Sequence, residues 1–346
     1  MNEFDELKQL AADLDAEPLA RIMVGHRELF HSNLLAWFYE RLPEIADKVF
    51  PSSTPGPGSP REAVRELQNL DLVLVRPGAR PVIIENKVFS VPTIAQLRDY
   101  DSKLAGWWDT PARRIVLSMT QTTPPLPAIQ EDPDPTGWVF WSHGDLADRL
   151  DRALIDAGEG YEVETMRHYA RLLRTLSRLV ELARVKHPNE FAFLRPEILE
   201  AIPARQMKQG LEKMRAEHVA TLLADNATGV LADSSMTHGT PIVTLRRRLP
   251  NDPDFSEVSF QYQAGQVRRL LVTREQGRGS EAKLAREAIA NRRPEMFDLT
   301  SIHKALGTEP SDERPGFKHF DPDSIYRYVS ASGVTVEQLI ELGKSL

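Results

Sequence analysis

Leu70-Asp71-Leu72-Val73-Leu74-Val75, then Arg76-Pro77-Gly78-Ala79-Arg80, then Pro81-Val82-Ile83-Ile84-Glu85-Asn86-Lys87: this stretch decides how the chain reads. The first run alternates and is partly β-branched. The last is short and nearly continuous in aliphatics, and Pro77-Gly78 supplies a turn between them. The pattern predicts a β-hairpin. Two carboxylates lie inside it. Asp71 sits within the first strand and Glu85 ends the second. Burying a carboxylate is costly unless it is paired or bound to a metal, so both need a reason to be there.

Working outward, residues 3–15 carry Phe4, Leu7, Leu10 and Leu14 at helical spacing. Residues 26–50 read as a stronger helix, with Leu34, Leu35, Trp37 and Phe38 as its buried stripe. The run from Pro51 to Pro60 is a loop. After the hairpin, 93–107 predicts a helix and Arg114–Met119 a strand. A proline-rich loop follows (Pro124, Pro125, Pro127, Pro133, Pro135), then a strand at Trp138–Trp141. A helix from Ser142 to Leu154 is expected to be capped by Ser142 or Asp145, and 162–185 is a long amphipathic helix. Pro188 and Pro196 mark a change of character. Beyond them a helix is expected at 204–225 and strands at 240–248, 256–263 and 267–273, with Gly265 at the last turn. Helices follow at 280–291 and 334–343. The expectation is an α/β protein: residues 1–187 as a small mixed sheet flanked by helices, and 200–346 as an α+β domain.

The hairpin brings Asp71 and Glu85 to one end, and Lys87, two residues on, shares the face of Glu85. Two carboxylates bind a hard divalent cation through oxygen. Such a cation polarises a phosphodiester and acidifies water, and a nearby ammonium stabilises the charge that develops. These groups suffice for phosphodiester hydrolysis without a nucleophilic side chain. A lone Glu-X-Lys triplet carries no such meaning. The conjunction with a mid-strand acid, a hairpin and a following helix bearing Gln96 and Tyr100 does. Tyr100 by itself reads as core.

In these residues the chain resembles the PD-(D/E)XK nuclease superfamily. It is most similar to a bacterial branch with Glu-X-X-His-Ser-X-X-Leu-Ala-Trp on an early helix, then Ile-Glu-Asn-Lys, then Gln-Leu-X-X-Tyr. Here these are Glu28, His31-Ser32 and Leu35-Ala36-Trp37, then Ile84-Glu85-Asn86-Lys87, then Gln96-Leu97-Arg98-Asp99-Tyr100. Leu70 stands where the motif's proline would be. The resemblance spans about residues 25–185 and implies a restriction-endonuclease-like core. It implies Asp71 and Glu85 as ligands of Mg²⁺ or Mn²⁺, the Asn86 carbonyl as a further ligand and Lys87 as the catalytic lysine. Gln96 would lie beside the site and Glu28 near the metal. The implied activity is cleavage of DNA, with a role in defence against foreign DNA. Two alternatives stay open: an RNA-cleaving enzyme, and a nuclease-like module that binds nucleic acid or a partner without cutting.

The remaining features set bounds. Of 346 residues, 41% are hydrophobic and 27% charged, ordinary for a globular protein. There are no cysteines, which excludes disulfides, thiolate metal sites and a cysteine nucleophile. The acidic start Met1–Glu6 lacks the features of a signal peptide and no apolar run reaches membrane length, so a cytoplasmic protein is expected. Residues 1–150 hold 15 Lys/Arg against 22 Asp/Glu, whereas 241–293 hold 11 against 6. That basic segment marks Arg246, Arg248 and Arg269 as candidate phosphate contacts. Trp107, Trp108, Trp138 and Trp141 read as core rather than base-stacking residues, His143 as a loop residue, and His168-Tyr169 as structural. A homodimer is the arrangement that would ease cutting of both strands.

Overall fold

The structure is a computed structural model and describes residues 3–23, 27–50, 61–67, 69–88, 94–104, 112–120, 126, 137–202, 205–310 and 316–346. The chain is mixed α/β and divides into two compact units, Met1–Leu182 with Glu200–Gly210, and Ala183–Leu199 with Leu211–Leu346. The expected loop at 51–60, Trp107, Trp108 and the prolines from Pro124 to Pro135 lie outside the described residues. Among the described residues no helix is long and apolar enough to cross a membrane.

The first unit opens with helices α1 (Glu3–Ala16), α2 (Pro18–Met23), α3 (Arg27–Arg41) and α4 (Pro43–Val49). The single helix expected over 26–50 is thus two. Pro43 has no N–H to donate and disfavours helical backbone at Leu42, so α3 stops and Pro43 starts α4 as its first residue. Five strands follow: β1 (Glu62–Leu67), β2 (Leu70–Val75), β3 (Val82–Lys87), β4 (Arg113–Ser118) and β5 (Trp138–Ser142). They lie side by side in sequence order. β1, β2 and β3 pair antiparallel, whereas β3, β4 and β5 are parallel. Helix α5 (Ile94–Leu104) connects β3 to β4. Its Leu97 and Tyr100 pack with Val73, Ile83, Val116 and Trp138 on one face of the sheet.

β3 is buried along nearly its whole length, as the central strand of a sheet covered on both faces should be. β1 was not expected. Half of its residues are charged and none is buried, as suits an edge strand, and Asn69, with φ of 69°, turns the chain into β2. The unit ends with α6 (His143–Leu154) and α7 (Tyr161–Ala183). Both proposed caps of α6 act together. Ser142 Oγ accepts from the Asp145 amide at 2.9 Å, and Asp145 Oδ2 accepts from the Ser142 amide at 2.8 Å.

The second unit is built on a six-stranded antiparallel sheet in the order β10-β11-β9-β8-β7-β6. Its strands are β6 (Leu231–Thr237), β7 (Thr240–Arg248), β8 (Phe255–Gln263), β9 (Gln266–Thr273), β10 (Lys318–Phe320) and β11 (Ser324–Ser330). Helices α8 (Pro196–Ala201) and α9 (Arg205–Asn226) precede it. Helices α10 (Gly279–Arg292), α11 (Thr300–Leu306) and α12 (Val336–Lys344) complete the chain. One face of the sheet, with Val243, Leu245, Val258, Phe260, Val267, Leu271 and Ile325, forms a single core with α9, α10, α11 and α12.

The reciprocal cap of α6 gives a direct stability test. Ser142→Ala is expected to cost about 1 kcal/mol in urea denaturation, and Ser142→Asn only a fraction of that. Equal losses in the two variants would show that the hydroxyl's cap is not what stabilises this end.

Candidate active site

Ladder pairing between β2 and β3 runs through Leu74–Val82, Val73–Ile83 and Leu72–Ile84, and ends there. Asp71 and Glu85 are the next residues on each strand, so the carboxylates stand where the hairpin opens. Where the ladder stops, a side chain substitutes for the missing backbone acceptor: Asp71 Oδ2 accepts from the Asn86 amide at 2.7 Å. The amide and carbonyl of one extended residue point to the same strand edge, so the Asn86 carbonyl is directed to Asp71's side. The Asn86 side chain turns to the other face, where Nδ2 donates to the Glu28 carbonyl at 3.1 Å. Asn86 thereby fastens β3 to the first turn of α3.

Glu85 is fully buried, and its two oxygens differ. Oε1 lies 2.8 Å from the Lys87 ammonium, accepts from Gln96 Nε2 at 3.0 Å and accepts from Tyr100 OH at 3.2 Å. Oε2 is buried and has no hydrogen-bond partner. Gln96 Nε2 also lies 2.8 Å from Tyr100 OH. Gln96 and Tyr100 are one helical turn apart on α5, so both reach the same carboxylate.

Burial, reinforced by the Asp71 charge, raises the Glu85 carboxyl from its ordinary 4.5 to about 7 against the opposing pull of Lys87. Burial also raises Asp71, although the Asn86 amide and Lys87 act the other way and the charges of Glu28 and Glu66 add to the rise. Burial pushes Lys87 down, but the Glu85 carboxylate and its hydrogen bond more than offset this and hold the ammonium above its usual range. Two carboxylates that resist ionisation, one with an unpartnered buried oxygen, fit a divalent cation with oxygen ligands. Among the described residues no three His, Asp or Glu side chains form a metal-binding group. The oxygens gathered at this end of the hairpin are those of Asp71, Glu85 Oε2 and the Asn86 carbonyl.

The structure brings Asp71, Glu85, Asn86, Lys87 and Gln96 together, and the Glu28 charge is felt at Asp71. Tyr100 does more than pack. It is both a core residue and a donor to Glu85, and its spacing from Gln96 is the signal that pairs them. His143 is not a loop residue. It starts α6, is fully buried, and its ring lies 5.3 Å from that of His31. His31 Nδ1 is 2.8 Å from the Tyr169 hydroxyl, and burial holds both histidines below their ordinary pKa, His143 at about 3. This neutral cluster joins α3, α6 and α7 and lies apart from the carboxylates in chemistry.

The arginine candidates are not brought together. Strand alternation puts Arg246 and Arg248 on the face of the second sheet opposite the helices, with Arg246 paired to Asp233 at 2.8 Å. Arg269 falls on the helix-covered face. There it stacks on Phe260, donates to the Met296 carbonyl and is lowered to about 10 by burial. Its neighbour Arg268 is the one that shares the face of Arg246 and Arg248. Comparison with protein-family models, with curated proteins and with solved structures finds no match for this chain.

The raised carboxyl has a measurable consequence without metal. The folded protein holds the Glu85 proton more tightly than the unfolded chain. Its contribution to stability is therefore fully present below 4.5 and lost as pH rises through 7. Compared with wild type in EDTA, Glu85→Gln should gain on the order of 1–3 kcal/mol at pH 8 and almost nothing at pH 5. A difference that does not change with pH would contradict the raised carboxyl.

Proposed function

We propose that this chain is a divalent-metal-dependent nuclease of the PD-(D/E)XK kind, with a restriction-endonuclease-like core in its first unit and DNA as substrate. The observation that carries the reading is the asymmetry of Glu85: one oxygen satisfied by Lys87, Gln96 and Tyr100, the other buried without a partner beside Asp71. The antiparallel-then-parallel sheet supports it, because it sets the motif at the mouth of the hairpin.

Asp71, Glu85 Oε2 and the Asn86 carbonyl would hold Mg²⁺ or Mn²⁺. When bound, such a cation supplies the positive charge that polarises a phosphodiester and acidifies water. The protein's own residues then have separate tasks. Gln96 and Tyr100 lock the Glu85 rotamer, so the carboxylate is oriented before substrate arrives. Lys87 stays protonated because of Glu85 and places its charge where negative charge grows on the phosphoryl oxygens. Asn86 fixes the strand to α3, which keeps Glu28 at the rim of the site. No side chain is needed as nucleophile. A role in defence against foreign DNA is the biological setting this reading favours.

The test is cleavage of plasmid DNA and of RNA in Mg²⁺, in Mn²⁺ and in EDTA. Wild type should cut DNA with either metal and not in EDTA. Asp71→Ala and Glu85→Gln should abolish cutting while the fold persists. Lys87→Ala should leave DNA binding in Ca²⁺ nearly unchanged and slow single-turnover cleavage about 100-fold or more, and Lys87→Arg should not restore the rate. Cleavage of RNA alone would move the substrate. Metal-replete wild type that binds nucleic acid and cuts none would leave a binding module.

A further inference from the structure

The six-stranded sheet of the second unit has two unlike faces. One carries the core with its helices. On the other, strand pairing sets together Arg246 and Arg248 of β7, Gln261 and Gln263 of β8, Gln266 and Arg268 of β9, Tyr326 and Tyr328 of β11, and Lys318 and Phe320 of β10. These positions include three aromatics, on the face opposite the one that the helices of the described residues cover.

The rings are arranged as a platform. Phe320 and Tyr326 stack with centroids 4.7 Å apart and planes 18° from parallel, and the Tyr328 ring lies 6.5 Å from that of Tyr326, tilted by 47°. Phe320 is 39% exposed, although it is a large apolar ring in a strand. The Arg268 guanidinium sits 5.3 Å from the Phe320 centroid and 5.4 Å from that of Tyr326. Its donors are held by the side-chain oxygens of three glutamines: Gln261 and Gln263 at 2.7 Å each, and Gln266 at 3.2 Å. The three glutamines surround Arg268 beside the rings, and Lys318 and Arg248 are exposed on the same face. Asp233 and Glu257 lie toward β6–β8, where Arg246 pairs with Asp233 and Arg248 stands opposite Glu257, and Asp323 lies at the turn between β10 and β11, so Lys318 is the cation on the ring side.

A stacked ring pair with a guanidinium at its edge, a third ring beside it and an exposed cation match one ligand chemistry. Unpaired bases present π-faces and carbonyl acceptors, and their backbone is anionic. A duplex hides its base faces. We propose that the helix-free face of the second sheet binds single-stranded nucleic acid, with bases stacked on Phe320 and Tyr328 and the backbone running toward Lys318 and Arg248. This deepens the nuclease reading but does not depend on catalysis, since it uses none of the residues of the hairpin site.

The experiment titrates full-length protein in EDTA with fluorescein-labelled dT₂₀, with rU₂₀ and with a 20-base-pair duplex. Wild type should bind a single strand more tightly than duplex. The preference between dT₂₀ and rU₂₀ identifies the source. Phe320→Ala and Tyr328→Ala should each weaken single-strand binding about tenfold, the scale of one lost base–aromatic stack. Phe320→Trp, which keeps a ring, should retain affinity. The titration is run in EDTA and reads binding alone, so its outcome does not depend on whether the wild type cleaves, which separates this proposal from the nuclease reading. Single-strand affinity unchanged in the folded Phe320→Ala/Tyr328→Ala double variant would overturn it. So would equal affinity for duplex, or a dimer that the double variant dissolves without any effect on nucleic acid.

Discussion

Two carboxylates are held in largely water-free surroundings at the mouth of one hairpin, and much of the first unit follows from that constraint. An ionised carboxylate in such a place costs several kcal/mol unless something compensates. The compensation is only partial. Lys87, Gln96 and Tyr100 all serve one oxygen of Glu85, and the Asn86 amide serves Asp71. The remaining oxygen of Glu85 is left with nothing. A protein that merely stored these residues would gain stability by replacing them. Buried carboxylates with perturbed ionisation of this kind cluster at functional sites.

The surrounding fold supports this centre from several directions. β3 is the strand where pairing changes from antiparallel to parallel, so it meets β2 on one edge and β4 on the other. Its odd-numbered residues, Ile83, Glu85 and Lys87, face α5, which supplies Gln96 and Tyr100. The even-numbered Asn86 faces α3, where the Glu28 carbonyl receives it. One strand's alternation therefore assigns each residue of the motif its own task. The buried His31–His143–Tyr169 cluster in turn holds α3 against α6 and α7, and low histidine pKa values keep it neutral.

Much of this was legible in the sequence, and the reasons differ by element. The hairpin could be read because Pro77-Gly78 sits between an alternating run and a short, nearly continuous aliphatic one. The acids stood out because they interrupt those runs. The break at Pro43 was legible in principle, since proline starts helices more readily than it continues them. β1 and β6 are edge strands in which no residue is buried, so burial left little pattern in them. β11 does carry Ile325, Tyr326, Tyr328 and Val329, but aromatics on its helix-free face obscure the alternation. Choosing between Arg268 and Arg269 needed the register with β8, which places Arg269 opposite Phe260 in the core and Arg268 opposite Gln261. Likewise, His143 read as a loop residue because nothing local shows that His31 and Tyr169 close over it from distant parts of the chain.

The central claim is that Glu85 Oε2, together with Asp71, holds a divalent cation. Its most direct measurement is anomalous scattering from crystals grown with Mn²⁺. The account predicts one peak about 2.0–2.3 Å from an Asp71 carboxylate oxygen, from Glu85 Oε2 and from the Asn86 carbonyl, with Oε1 still held by Lys87, Gln96 and Tyr100. A peak that bridges Oε1 after displacing Lys87, or full-occupancy Mn²⁺ elsewhere with these carboxylates untouched, would contradict it.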